Sequence, residues 1–266
     1  RDYFETHGRP GDFDRISPDE ITLYDGLVEV DLSKIKPSIA LPFHPSNVYT
    51  IEELKENAED IFTDIEKNSK ETFSSNEIKI DLISKIRNGQ IRFEQGIIVG
   101  CSGGTFDNIM AAADILRGKS IGNGSFSLSI YPGSQPTYLE LVRNGAVADL
   151  MAAGALVKPA FCGPCFGAGD TPANNELSIR HATRNFPNRE GSKPTEGQVS
   201  LVALMDARSI AATAVNEGIL TAADEIDVNY SGKRYYFDKT VYEKRVYNGW
   251  SKEDPSAELV YGPNIK

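Results

Sequence analysis

Cysteine is scarce in this 266-residue chain. There are three, Cys101, Cys162 and Cys165, an odd number that cannot be fully paired within one chain. Such a chain need not lean on disulfides for its stability. At roughly 150 residues per domain the chain amounts to somewhat under two domains, enough for at least one well-filled core. Basic residues are in deficit, with 28 Lys plus Arg against 38 Asp plus Glu, a formal net charge of −10 and a pI near 4.9. That balance argues against a nucleic-acid or anionic-membrane surface, both of which need a basic stripe. No apolar run approaches the roughly 18 residues of a membrane span, and no secretion signature opens the chain, so the expected setting is soluble and cytoplasmic. Internal repeats and low-complexity segments are also missing. Arg1 stands where a starting Met would be, as expected of a piece of a longer protein.

The acidic charge is unevenly placed. Ten acids face four lysines between Glu52 and Asp81, a net of −6, which reads as a solvated and helical surface. Ile97 to Glu190, which holds all three cysteines, carries seven acids and seven bases, as expected of a buried, inward-facing region. Periodicity predicts strands over Gln95–Gly100, Phe126–Tyr131, Ala155–Phe161, Leu177–Ala182 and Val199–Leu204. Helices are predicted from Thr105, the expected N-cap, to Leu116, over Pro136–Arg143 closed by Gly145, over Ala146–Ala153, and over Ala207–Glu217 closed by Gly218. The alternation predicts an α/β fold, a three-layer αβα sandwich around a mainly parallel sheet, with chemistry in the turns after the strands. Residues 1–26 read as an irregular lead-in, 27–225 as the main domain, and 226–266 as an extension. The aromatic run Tyr230, Tyr235, Tyr236, Phe237, Tyr242, Tyr247 and Trp250 suggests a short β extension or a packing arm.

Cys101 ends the first predicted strand, in Val99-Gly-Cys-Ser-Gly-Gly-Thr105, just before a helix. Helix N–H groups and the positive end of the dipole favour a thiolate there, although a lone cysteine serves as readily as a small buried hydrophobe. Cys162-Gly-Pro-Cys165 also follows a strand and could hold a metal or close a disulfide. In a thioredoxin the same dithiol opens a long helix, but here Gly167, Gly169 and Pro172 follow, which do not propagate one. A structural zinc needs a fourth ligand, and His7, His44 and His181 stand at no familiar spacing for it. Three thiolates at the tips of two strand-to-helix turns instead suit an iron–sulfur cluster with one iron left open.

The chain resembles the cluster-bearing domain of the aconitase family of hydro-lyases. The resemblance rests on three motifs in order: Gly100-Cys101-Ser102, Cys162-Gly-Pro-Cys-Phe-Gly167, and Arg184-Asn-Phe-Pro-Asn-Arg-Glu-Gly191. Val30–Pro37 with Ile39–Pro42, the turn Pro132-Gly-Ser134, and Ser200–Val215 are weaker echoes, and the likeness runs from about Leu27 to Gly218. The family commonly has Ser-Cys-Thr-Asn-Ser around its first cysteine, so this chain lacks the residue before the thiol and the Asn after it. Thr183 replaces a common Asn before the first arginine.

The resemblance implies a [4Fe-4S] cluster on Cys101, Cys162 and Cys165, whose open iron acts as a Lewis acid in the dehydration or hydration of a hydroxy-polycarboxylate. It implies that Arg184 and Arg189 hold substrate carboxylates, since a guanidinium fork matches a carboxylate. Ser102, Ser134 and Asp170 either make hydrogen bonds to cluster sulfurs or to Arg side chains or cap turns, and His44 and His181 read as structural. In this family the base that takes the carbon proton is a serine of a separate C-terminal swivelling domain, and no counterpart is recognisable here. Tyr261-Gly-Pro-Asn-Ile265 resembles the start of the linker toward that domain. The expected partners are a small carboxylate substrate and the remaining domains of the same protein, without which this chain is expected to be inactive. A zinc- or disulfide-based redox or binding module using Cys162 and Cys165 is the alternative.

Overall fold

The computed structural model describes residues 1–73, 78–193, 196–246, 249, 251–258 and 260–263. Tyr247, Trp250, Asn264 and Ile265 lie outside these residues, as does Glu77, one of the ten acids counted between Glu52 and Asp81.

Among the described residues nine strands form, in chain order β1 (Ser38–Ala40), β2 (Val48–Thr50), β3 (Ile86–Arg87), β4 (Gln90–Ile91), β5 (Gln95–Ile98), β6 (Ser127–Ile130), β7 (Leu156–Val157), β8 (Leu177–His181) and β9 (Leu201–Met205). Seven of them make one sheet in the order β2-β1-β9-β8-β5-β6-β7. The five strands from β9 to β7 are mutually parallel, and at one edge β1 runs against them, pairing antiparallel with both β9 and β2. With helices flanking this sheet, the fold is the three-layer α/β sandwich expected from the alternating pattern. Near-continuous burial of β5, β8 and β9 is what a central parallel strand demands, because both of its faces are covered.

After β5 come the single turn α4 (Gly100–Gly103) and α5 (Phe106–Leu116), and after β6 come α6 (Gln135–Arg143) and α7 (Ala146–Ala152). α5 packs against α7 and against α8 (Ala207–Val215), which follows β9. Ala111, Ala112 and Ala113 in α5 and Ala211 and Ala212 in α8 are buried, small side chains that suit tightly packed helices. Thr105 does precede α5, but its hydroxyl makes no capping bond; Ser134 caps α6 and Asp206 caps α8 through their side chains.

The acidic segment folds as α2 (Ile51–Glu56) and α3 (Ala58–Phe73). Ile51, Leu54, Phe62 and Ile65 face the core, while most of the charges face water. Glu66 departs from that pattern, for its carboxylate accepts the Leu82 and Ile83 amides at 2.6 and 2.9 Å.

Several expectations need correction. The third predicted strand shrinks to the two residues of β7, because the chain leaves the sheet to build the Cys-Gly-Pro-Cys loop. The lead-in is not wholly irregular, since α1 (Asp2–Thr6) and a 3-10 turn at Pro10–Asp12 open it. No strand forms among the described residues of the extension, which carries the short helix α9 (Thr240–Glu243). It acts as a packing arm: Tyr235 lies 5.4 Å from the Phe106 ring and Phe237 lies 4.5 Å from His7. Between these parts, residues 16–35 leave Ile16, Ile21, Leu23, Leu27 and Val28 more than 85% exposed. Among the described residues no helix is long and apolar enough to cross a membrane.

Candidate metal centre and carboxylate site

The chain runs outward from β5 through β6 to β7 and then returns across β5 to place β8 on its other side. Such a reversal leaves a crevice beyond the carboxyl ends of the strands, where the loops on either side diverge. Every sequence-predicted site residue lies in a loop at that end. Cys101 sits in the turn after β5, Cys162 and Cys165 follow β7, and Arg184 and Arg189 follow β8.

Glycines let these loops meet. At Gly100, with φ +77°, a Cβ would stand 2.7 Å from Cys165 Sγ, so the bare backbone is what admits the second cysteine loop beside the first. At Gly167, with φ +82°, a Cβ would fall 2.5 Å from the Gly191 amide, so the glycines ending the second and third motifs abut. The three motifs, far apart in sequence, thus form one surface.

The cysteines are not buried as their neutral surroundings suggested. Cys101 and Cys162 are exposed, Cys165 is half-buried, and all three are free thiols. The loops lie over the ends of the sheet rather than within it, which is why a segment with little charge still reaches solvent. Burial pushes the Cys165 thiol up, and the neighbouring Cys162 and Cys101 push it further, while Arg180 and Arg189 pull it down. The three sulfurs therefore share one electrostatic site with two guanidiniums. Arg184 is exposed and is not among the charges acting on this thiol; Arg189 is half-buried, with Nε buried and without a hydrogen-bond partner among the described residues.

Sequence reasoning missed the groups beneath these loops. Arg180 on β8 is only 1% exposed. It donates to the carbonyl of Pro164 at 2.6 Å, between the two cysteines, and to the carbonyl of Asp170 at 2.9 Å. Asp170 does not reach toward the cysteines. Its carboxylate accepts Lys158 Nζ at 2.6 and 2.7 Å and Tyr131 Oη at 2.5 Å. Burial raises this carboxyl, but Lys158 and Tyr131 outweigh it and hold Asp170 below the usual carboxylate range. A lone charge inside the otherwise uncharged, buried β8 and a lysine closing β7 were the available signals.

The remaining predicted polar groups divide. Ser134 caps α6, accepting the Thr137 amide at 3.3 Å, which is the turn-capping alternative. Ser102 Oγ is buried without a partner among the described residues. His44 packs edge-on at 5.2 Å against Phe186 and contacts Ser46 Oγ at 2.6 Å, a structural role. His181 is half-buried, and burial pulls its imidazole below its ordinary value. Asn185, inside the arginine motif, is a clamp: its amide donates to the carbonyls of Leu41 at 2.8 Å, Val202 at 3.2 Å and Ala40 at 3.3 Å.

No group of three His, Cys, Asp or Glu side chains stands at metal-ligand spacing among the described residues. Donor chemistry is the better test of fit. The two cysteine loops adjoin at Gly100 and Cys165, Cys101, Cys162, Arg180 and Arg189 all bear on the Cys165 thiol, and Ser102 Oγ and Arg189 Nε are buried without hydrogen-bond partners among the described residues. Thiolates select iron–sulfur clusters, and arginines select carboxylates, so the residues suit both an iron–sulfur group and an anionic ligand.

Fold and site together define a mainly parallel α/β sandwich that carries cysteines and arginines on the loops at its switch point. The chain belongs to the aconitase family (aconitate hydratase), which it matches over residues 5–212. It is 30% identical over 193 residues to the 3-isopropylmalate dehydratase large subunit of Clostridioides difficile (strain 630), covering 72% of this chain and 37% of that protein. It is 28% identical over 195 residues to the 2,3-dimethylmalate dehydratase large subunit of Eubacterium barkeri, covering 73% and 38%. The 3-isopropylmalate dehydratase large subunit 1 of Methanopyrus kandleri is 27% identical over 217 residues, 81% and 41%. The chain thus spans about two fifths of the length of the relatives it matches.

Proposed function

We propose that this chain is the cluster-bearing part of a hydro-lyase that removes water from, or adds it to, a hydroxy-polycarboxylate. The observation that carries the reading is the contact of the two cysteine loops at the switch point, where a Cβ on Gly100 would stand 2.7 Å from Cys165 Sγ. In this reading the three cysteines hold a [4Fe-4S] cluster, which when bound supplies a Lewis acid for the departing hydroxyl.

The chain's own residues bind and orient. Arg189, half-buried with a free Nε, holds one substrate carboxylate in a fixed direction. Arg184, exposed on the same loop, holds a second carboxylate as the substrate settles. Asn185 keeps the two arginines in register by tying their loop to the sheet. The base for the carbon proton comes from a part of the full protein outside this chain, which makes the isolated chain inactive in catalysis. Relatives described as large subunits support a protein that works with further domains or a partner subunit.

Anaerobic reconstitution with iron and sulfide tests this. The wild type is expected to turn brown and retain iron, and Cys101→Ala to lose most of both. A colourless wild type that binds zinc or cycles a Cys162–Cys165 disulfide, or an unchanged spectrum in Cys101→Ala, overturns it.

A further inference from the structure

Burying a guanidinium is expensive unless its donors are satisfied, and nothing about β8 as a strand calls for one. The backbone of β8 is already paired on both sides, with β5 and β9. In register Arg180 stands between Ile97 and Leu204, positions where apolar side chains serve the sheet. What Arg180 adds lies off the sheet. Nη1 and Nη2 hold the carbonyls of Pro164 and Asp170, while Gln95 Oε1 at 3.2 Å and Ser178 Oγ at 3.2 Å aim the fork. Ser178 in turn donates to Gln95 Oε1 at 2.8 Å, fixing that acceptor.

The two carbonyls bracket one segment. Pro164 lies between the paired cysteines, and Asp170 closes the loop, where Lys158 and Tyr131 grip its carboxylate. Inside the bracket the chain turns tightly on its own amides, with Cys165 N donating to Cys162 O at 2.8 Å and Ala168 N to Gly163 O at 2.9 Å. Such a short turn has few buried side chains of its own, since Phe161, Cys162, Phe166, Ala168 and Gly169 are exposed. Its shape has to be imposed from below.

We infer that Arg180 is the positioning residue for Cys162 and Cys165, fixing the dithiol loop before any group binds. The loop is then preorganised, and the ordering cost that a floppy dithiol would charge to ligand capture is met by the fold. Relevance to cluster capture rests on the function proposed above, but the positioning itself does not.

Hydrogen–deuterium exchange on the reduced, metal-free full chain tests it, comparing wild type with Arg180→Met and Arg180→Lys. Losing two charge-assisted bonds should speed exchange of the amides in residues 161–171 about tenfold or more, at roughly 1.4 kcal/mol per tenfold, while β6 stays unchanged. Arg180→Lys, which keeps the charge but not the fork, should fall between the two. Iron retained after reconstitution should follow the same order, with partial rescue in the lysine variant. Wild-type exchange in the 161–171 segment of a folded Arg180→Met overturns the inference; if that variant does not fold, wild-type exchange in Arg180→Lys overturns it. Faster exchange with no cluster in the wild type would sink the proposed function and leave the positioning role standing.

Discussion

Glu190 is 2% exposed, and burial pushes its carboxyl up to about 7, although Arg180 and Arg189 both pull it down. Desolvation wins because a buried carboxylate loses more hydration than two guanidiniums return. Its ordinary value is 4.5, so between pH 4.5 and about 7 the unfolded chain has given up a proton that the folded chain keeps. Stability therefore falls as pH rises through that window and stays lowered above it. Glu190→Gln should remove the slope, gaining of order 3 kcal/mol at pH 8 and little at pH 4.5. Urea unfolding at several pH values checks this, and parallel profiles for the two proteins would refute it. Arg180 and Glu190 share a reason for being hard to read in sequence. Each is an ordinary charged letter whose meaning comes from atoms many positions away, whereas the cysteines announce themselves by spacing alone.

At the level of elements, Asn185 joins three: the loop after β8, the β1 strand and the β9 strand. Asn185→Ala should cost about 2 kcal/mol, the price of three carbonyls losing a shared buried donor. Asn185→Asp should cost more, since it sets a carboxylate against those carbonyls. Thermal unfolding of both variants checks the order, and equal stability of all three proteins would contradict the clamp. The strands β5, β6, β8 and β9 were legible as apolar or alternating runs, and β5, β6 and β9 also have a helix after them. β1 and β2, three residues each, were not legible, because they are short and β1 is seated on the sheet by β9, which lies over 150 residues away. The β3–β4 hairpin did carry a signal, Asn88-Gly89, whose φ values of 54° and 74° give the left-handed turn that such a pair favours. The resemblance to a known family placed the arginine motif correctly after a strand but hid the clamp inside it, because a motif reports identity and not contacts.

For the whole molecule, the order β2-β1-β9-β8-β5-β6-β7 separates near partners from far ones. β5 meets β6 across some thirty residues, in pairs such as Gln95 with Ser127, yet meets β8 across more than eighty, as Gln95 with Ser178. β1 waits for β9 across still more, with Ile39 facing Met205. Closing a longer loop costs more entropy before contacts repay it, so β5, β6 and β7 with their helices should assemble first. In pulsed exchange during refolding, amides of β5 and β6 should gain protection before those of β1; simultaneous protection would count against a staged order. The consequence is temporal. The dithiol loop leaves β7 early, but Arg180 arrives only with β8, so a growing chain holds Cys162 and Cys165 together in sequence before it can hold them in place, and metal met in that interval finds an unshaped site.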